Sequence, residues 1–459
     1  MDRRVVITGV GVVSAAGVGA DQAWEALEAG RSCLGVVRAF DASGFDCRLG
    51  GEAEGLDARD FVPKPYRKFI KVMARDTELA VAAAQLAVHD AGLSSRGSAE
   101  TALFPTAPGA PALEPDRTGC QIGAGLIAAE LDELTGALAT SRGESGFDVR
   151  RWGSADGGAG AMNNLPPLWM LKYLPNMLAC HVTIIHGAEG PSNTITCAES
   201  SGVLSLGESS RVIERGDADA CFSGGAESKI NPLGYLRLYM SGRASPTGEA
   251  TDGGSVVRPY DPSARGGVPG EGGAILMLED GDRARERGPG RVYAEIAGFG
   301  AGHSGGSIFP GLFDEDPGEG FVDTGLRRAI RAALNDARVP PDAIDAIVPG
   351  ALGIPAADRG ERNALREVFG PRLPEIETIT VAPVLGNTSA GHGALLAAVG
   401  AMAIRRQRLP ARIHAGGAEG IRVGPAPARD ARLNTILVCT PSFGGQVGAL
   451  VLRRSEEKS

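Results

Sequence analysis

Residues 166–208 read PPLWMLKYLPNMLACHVTIIHGAEGPSNTITCAESSGVLSLGE (Pro166–Glu208). Asn176–Ile185 has the composition of a helix entering a loop, Gly190-Pro191 is a turn signal, and Asn193–Ala198 reads as a short β-branched strand. A run of small residues, Ser200 through Gly207, then continues as helix. A strand that delivers one side chain to the start of a buried helix forms a nucleophile elbow. There the free N–H groups and the helix dipole stabilise a negative charge.

Working outward, Arg4–Val13 is expected to be a buried strand and Asp21–Ala29 a helix with an acidic start. In Asp76–Ala91, Leu79, Ala82, Ala83, Leu86 and Ala87 recur at helical spacing. Residues 94–118 are rich in Pro, Ala and Gly without periodicity and read as a loop insertion, because a strand-like run, Gly119–Gly125, follows at once. The second half repeats the style. Arg291–Ala301, Ala343–Pro349, Thr435–Thr440 and Gly448–Arg453 read as strands, with Gly325–Ala337 and Ala394–Arg405 as amphipathic and Ala-rich helices. Strands alternating with helices predict parallel α/β layering in two similar halves, 1–285 and 286–459. No repeat strong enough to prove a duplication is visible.

The 459 residues are 43% hydrophobic and 22% charged, values of a globular protein. Abundant Gly (67) with only 5% aromatics points to close packing of helices on strands. No run approaches the roughly 18 apolar residues of a membrane span. The apolar N-terminus is short and broken by glycine, which argues against a signal peptide, and a cytoplasmic location is expected. The seven cysteines are scattered without CxxC pairs and read as reduced thiols. The six histidines lack ligand spacing, so no metal is expected. A net charge of −9 disfavours nucleic acid as a partner. One basic cluster, Lys64, Arg67, Lys68, Lys71 and Arg75, is either a solvated helix face or a docking patch for an acidic partner.

The decisive stretch resembles the β-ketoacyl synthases. The match runs ungapped from Asn176-Met177 through Gly190-Pro191 to Gly202 and Gly207-Glu208. It continues in Arg3–Gly17, in Arg258–Glu279 (RPYDPSARGGVPGEGGAILMLE), at Asp358 and Glu361, and in Ser442–Gly445. The resemblance implies a thiolase-like fold of two similar βαβ-type halves in five layers, α-β-α-β-α. In its register the nucleophilic cysteine falls on Glu199. Cys197 lies two residues early and reaches that position only through compensating gaps on both sides. Of the two histidines that such enzymes use to polarise the malonyl thioester, the first falls on Gly350. The second falls on Asn387, with its companion lysine on Ala382; a rival register would keep His392 instead. His89, His181, His186, His303 and His414 sit in no such motif and read as structural or exposed.

Loss of the nucleophile and both histidines together removes the acid–base and nucleophilic groups that condensation needs. A carboxylate at a helix N-terminus is nonetheless stabilised there, by a few tenths to about 2 kcal/mol. Within the family, this pattern resembles the chain length factors, the ketosynthase β-subunits of type II polyketide synthases. These typically carry glutamine where Glu199 stands here, and the glutamate points to a lineage handling reduced or polyene chains. The resemblance implies a heterodimer with a cysteine-bearing ketosynthase α-subunit. It implies no cofactor of the chain's own, the growing chain being carried on the phosphopantetheine of an acyl carrier protein. It also implies tunnel residues at Leu126 and Ile127 and at Leu168, Trp169 and Met170, with ordinary core packing as the alternative for each. Phe443 matches the gate beside the oxyanion hole, and the basic cluster matches the carrier-protein docking region. The alternative functions are a malonyl-carrier-protein decarboxylase that primes the pathway, or an acyltransferase using Glu199 or Cys197.

Overall fold

The Val-Val-Ile-Thr run near the N-terminus forms β1 (Val5–Ser14), buried along its whole length as a strand covered on both faces must be. The computed structural model describes residues 3–98, 104, 106–153, 160–288, 292–305, 318–414 and 418–455. After β1 come helix α1 (Arg75–Ala91), β2 (Thr118–Gly123), α2 (Met177–His186), β3 (Ser192–Ile195), α3 (Ser201–Glu214), β4 (Ala220–Ser228) and β5 (Glu271–Asp280). The second half supplies β6 (Ala294–His303), α4 (Thr324–Asp336), β7 (Ala346–Val348), α5 (Pro355–Phe369), β8 (Glu377–Thr378), α6 (His392–Arg406), β9 (Thr435–Thr440) and β10 (Gln446–Arg453).

The two halves have one topology. The first has spatial order β3-β2-β4-β5-β1 and the second β8-β7-β9-β10-β6, which is 3-2-4-5-1 in each half's own chain order. In each, the first three strands run parallel and the fourth runs antiparallel to both its neighbours. The sheet is therefore mixed rather than parallel throughout. Strands β9 and β10 need no crossover helix, because the short turn between them reverses the chain. Antiparallel pairing of β1 with β6, with Val5 opposite Ile296, joins the halves into one sheet.

The helices complete five layers. α1 and α2 cover one outer face, α4 and α5 the other, and α3 packs on α6 between the two halves of the sheet. Enclosed on every side, α6 is buried from His392 to Ile404 and is built from Ala, Gly and Leu so that strands can approach closely. The same approach appears at β1 and β6. A Cβ at Gly9 or Gly11 would overlap the backbone oxygens of Ala87 and Ala83 in α1, and one at Gly298 or Gly300 those of Ala333 and Ala329 in α4. The register slips between Ile7 and Gly9 and again between Ile296 and Gly298. Each slip leaves a backbone N–H, of Val10 or Phe299, that a late helix carboxylate accepts: Asp90 at 2.8 Å and Asp336 at 2.9 Å. The same device thus recurs at the equivalent strand of each half.

Several boundaries differ from expectation. The strand expected over Asn193–Ala198 ends at Ile195, and α3 runs on past Gly207 to Glu214. β4 and β5 were not anticipated as strands. Arg291, expected to open β6, lies outside the described residues, as does part of the 94–118 insertion. No helix among the described residues is long and apolar enough to cross a membrane.

Candidate functional site

Beyond Ile195 the chain leaves the sheet and makes one tight turn, Ala198–Ser200, before α3 begins. Ala198 adopts φ 46°, a left-handed conformation unusual for a residue with a Cβ. Ser200 Oγ contacts Thr440 O at 2.9 Å and Gln446 O at 3.0 Å, which ties the turn to the β9–β10 connection. Gly393, in the first turn of α6, lies so close that a Cβ there would sit 2.8 Å from Glu199 O. The result is a fully buried Glu199 at the start of α3, enclosed between the two halves.

The carboxylate is completely engaged. Oε1 accepts from Asn387 Nδ2 at 3.0 Å and pairs with the Arg243 guanidinium, while Oε2 accepts from the backbone N–H of Phe443 at 3.0 Å. Burial opposes its charge, but the Arg243 cation and these donors outweigh burial and hold the carboxyl at about 2. Arg243 is itself buried, and its guanidinium lies 5.1 Å from the centroid of the Phe443 ring. Nothing in the sequence motifs marked Arg243. The only signal was the physical requirement that a buried carboxylate have a cation.

The loop bearing Gly350 is fixed by two buried acids from α5. Glu361 accepts from the N–H groups of Gly350 (2.8 Å) and Ala351 (3.0 Å), and Asp358 from those of Leu352 and Gly353 (both 3.0 Å). Burial pushes Glu361 up to about 7 and Asp358 up to about 8. A Cβ at position 350 would stand 2.7 Å from Pro441 Cδ, so this loop has closed over the space a side chain would need. His392 enters from the first turn of α6, and its Nε2 donates to Gly350 O at 2.9 Å. Burial lowers its pKa, so it is a neutral, fully buried ring packed against the Gly350 loop. Ala382 is buried against Leu34, Leu49, Val257 and Val268 and contributes no charge.

Elbow turn, Gly350 loop and Phe443 loop thus meet at one point between two equivalent halves. Family models for the β-ketoacyl synthase N-terminal domain (residues 2–284) and C-terminal domain (residues 293–416) match the chain. It is 32% identical to the tetracenomycin polyketide synthase ketoacyl synthase beta subunit of Streptomyces glaucescens, over 98% of each chain. The chain belongs to the β-ketoacyl synthase family, in its ketosynthase β-subunit branch. Among solved structures it is similar to the ishigamide ketosynthase/chain length factor (TM-score 0.79, 24% identity, 99% of this chain and 100% of that one). It is equally similar in fold to a type II polyketide synthase ketosynthase in complex with its acyl carrier protein, AntDE:AntF (TM-score 0.79, 21% identity, 99% and 100%).

The other positions singled out from the β-ketoacyl synthase pattern fall into three groups. Cys197 is half-buried just before the turn, and burial pushes its thiol pKa up, away from the reactive thiolate. Of the tunnel candidates, Ile127 is buried and Trp169 half-buried, but Leu126, Leu168 and Met170 are 60%, 65% and 59% exposed. Among the described residues these three side chains lie open at the surface rather than inside an enclosed channel. Three contacts link their segments: Tyr173 OH accepts from Glu130 N at 3.2 Å and donates to Glu133, and Lys172 pairs with Glu133 at 2.8 Å.

The basic cluster divides. Lys64, Arg67, Lys68 and Lys71 are exposed on a 3₁₀ segment, Lys64–Val72, whereas Arg75 turns inward to Glu271 (2.9 Å) and Ala53 O (2.8 Å) and leaves the patch. His89 and His303 are exposed, and His181, His186 and His414 are buried with pKa values lowered by burial.

Proposed function

We propose that this chain is a non-catalytic chain length factor. It heterodimerises with a cysteine-bearing β-ketoacyl synthase and supplies one wall of the tunnel that limits polyketide length. The carrying observation is the engagement of Glu199. The Phe443 N–H and the Asn387 amide, groups that would otherwise face a thioester oxygen, both donate to its carboxylate. A carboxylate at about 2 and paired with Arg243 is a poor nucleophile and is no proton donor at neutral pH. His392, neutral and donating to Gly350 O, gives no acid in its place.

The partnership is supported by two surface features. Leu126, Leu168, Met170, Tyr239 and Met240 are all more than half exposed, large apolar side chains that the partner would cover. Among the described residues β3 is an edge strand, hydrogen-bonded to β2 on one side only. Lys64, Arg67, Lys68 and Lys71 would meet the acidic acyl carrier protein, whose phosphopantetheine carries the chain, with no cofactor bound by this subunit. The carboxylate in place of the branch's glutamine is the ground for assigning reduced, polyene-type chains, and mass spectrometry of the complex's products decides that point.

The test is co-expression with a cysteine-bearing ketosynthase, followed by incubation with malonyl carrier protein. We expect a one-to-one complex that elongates, and no CO₂ release from this chain alone. Release without the partner would replace the proposal with the decarboxylase reading.

A further inference from the structure

The carbonyl of Leu126 is held by two cations. Arg237 Nη1 donates to it at 2.9 Å and Lys229 Nζ at 3.2 Å. Two charged donors on one backbone oxygen fix the Leu126–Ile127 peptide more firmly than one neutral donor would. Lys229 is buried and paired with Glu227, which is 2% exposed. Gly125 is required beside this pair, because a Cβ there would overlap the Glu227 carboxylate. Asp76, buried nearby and pushed up to about 7 chiefly by burial, is largely neutral below that pH, which leaves Glu227 as the main counter-charge to Lys229.

Glu227 also faces the other way. Its Oε2 accepts from Ala390 N at 2.8 Å, and the same turn is closed by Ser389 N donating to Asn387 Oδ1 at 2.9 Å. Asn387 then donates to Glu199. A path therefore runs from the Leu126 carbonyl through Lys229 and Glu227 to the Ala390 N–H, along the turn 387–390, and from the Asn387 amide to Glu199 and the Phe443 N–H.

We propose that Arg237 and Lys229 are positioning residues for chain length: they set where Leu126 stands on the apolar face, and Glu227 ties that position to the carboxylate-filled pocket. The proposal rests on the chain length factor reading. It gives the vestigial pocket a present role, as the fixed point from which the tunnel loop is measured.

The experiment uses the reconstituted complex with a cysteine-bearing ketosynthase and reads the distribution of product lengths beside the melting midpoint. Arg237→Leu removes one charged donor from an exposed helix position, so its folding is secure. Loss of one such bond lowers the population of the held loop roughly tenfold. We expect the product distribution to broaden or shift with the melting midpoint unchanged, and Arg237→Lys to keep the parental distribution. Lys229→Met is expected to act in the same direction; if it fails to fold, Arg237→Leu decides alone. Leu126→Ala separates the two layers of inference. If Leu126→Ala shifts length and Arg237→Leu does not, the positioning role is overturned and the tunnel reading stands. If neither shifts length, both fall.

Discussion

Replacing Arg243 by methionine leaves Glu199 buried without its cation, and the consequence can be worked out in sign and size. In the parent protein Glu199 is held at about 2, against 4.5 for an ordinary glutamate. A folded-state value below the unfolded one adds stability that is fully present above 4.5 and is lost as pH falls through 4.5 toward 2; the gap is worth about 3 kcal/mol. Removing one partner of a buried pair costs about 3–5 kcal/mol at neutral pH. For a chain of 459 residues, with an unfolding entropy of about 1 kcal/mol/K, that is a melting midpoint lower by roughly 3–5 °C. With Arg243 gone, burial raises the Glu199 pKa instead, so acid relieves the penalty by neutralising the carboxyl. The parent–variant gap should therefore shrink as pH falls from 7 toward 4. Asp76, Asp358 and Glu361, also shifted by burial, titrate in both proteins and cancel in the difference. The double substitution Glu199→Gln with Arg243→Met removes both charges and should recover most of the loss. A gap independent of pH, or a double variant no more stable than Arg243→Met, would refute the assignment of Arg243 as the counter-ion.

Glu199→Cys should not restore condensation: with a partner whose own cysteine has been removed, product formation should stay at background, because Gly350 and Asn387 supply no histidine. Gly350→His should reduce stability without adding activity, since its Cβ would press on Pro441 Cδ at 2.7 Å; thermal melting and CO₂ release read the two effects separately. Gly9→Ala and Gly298→Ala should each destabilise by about 1–3 kcal/mol or more in denaturant titrations, because each would overlap the backbone of a packed helix. Equal behaviour of the two would confirm that the halves use one packing device.

Local chemistry made much of this structure legible. β1, α1, α4, α6 and β9 follow from apolar runs and helical spacing, and their observed limits fall within a few residues of the expected ones. Strands β4 and β5 were harder, because Ala220–Ser228 and Glu271–Asp280 are rich in Gly and Ala and carry acidic residues that only the sheet's interior explains. The repeated packing has a trace in the sequence: Ile7-Thr8-Gly9-Val10-Gly11 and Ile296-Ala297-Gly298-Phe299-Gly300 share spacing and role. At the site, Glu199 and Asn387 were reachable because they occupy motif positions. Arg243 was not, since a counter-ion that folds in from 44 residues away leaves no local pattern. The exposure of Leu126, Leu168 and Met170 depends on which surface a partner covers, and one chain's sequence does not contain that surface.

The geometry also explains why a glutamate can stand at a nucleophile elbow. The elbow places position 199 at a helix start facing the Phe443 N–H, so the fold presents donors to negative charge whatever residue is there. A cysteine thiolate uses that field for reactivity, and a carboxylate uses it for stability. What the field lacks is enough compensation for complete burial, and Arg243 provides it. The side chain that satisfies the charge also lies over the Phe443 ring, so the pocket's stability and the position of that ring are coupled through one ion pair. The Glu199–Arg243 pair therefore forms a fixed internal strut between the two halves, and the proposed path to Leu126 begins at that strut.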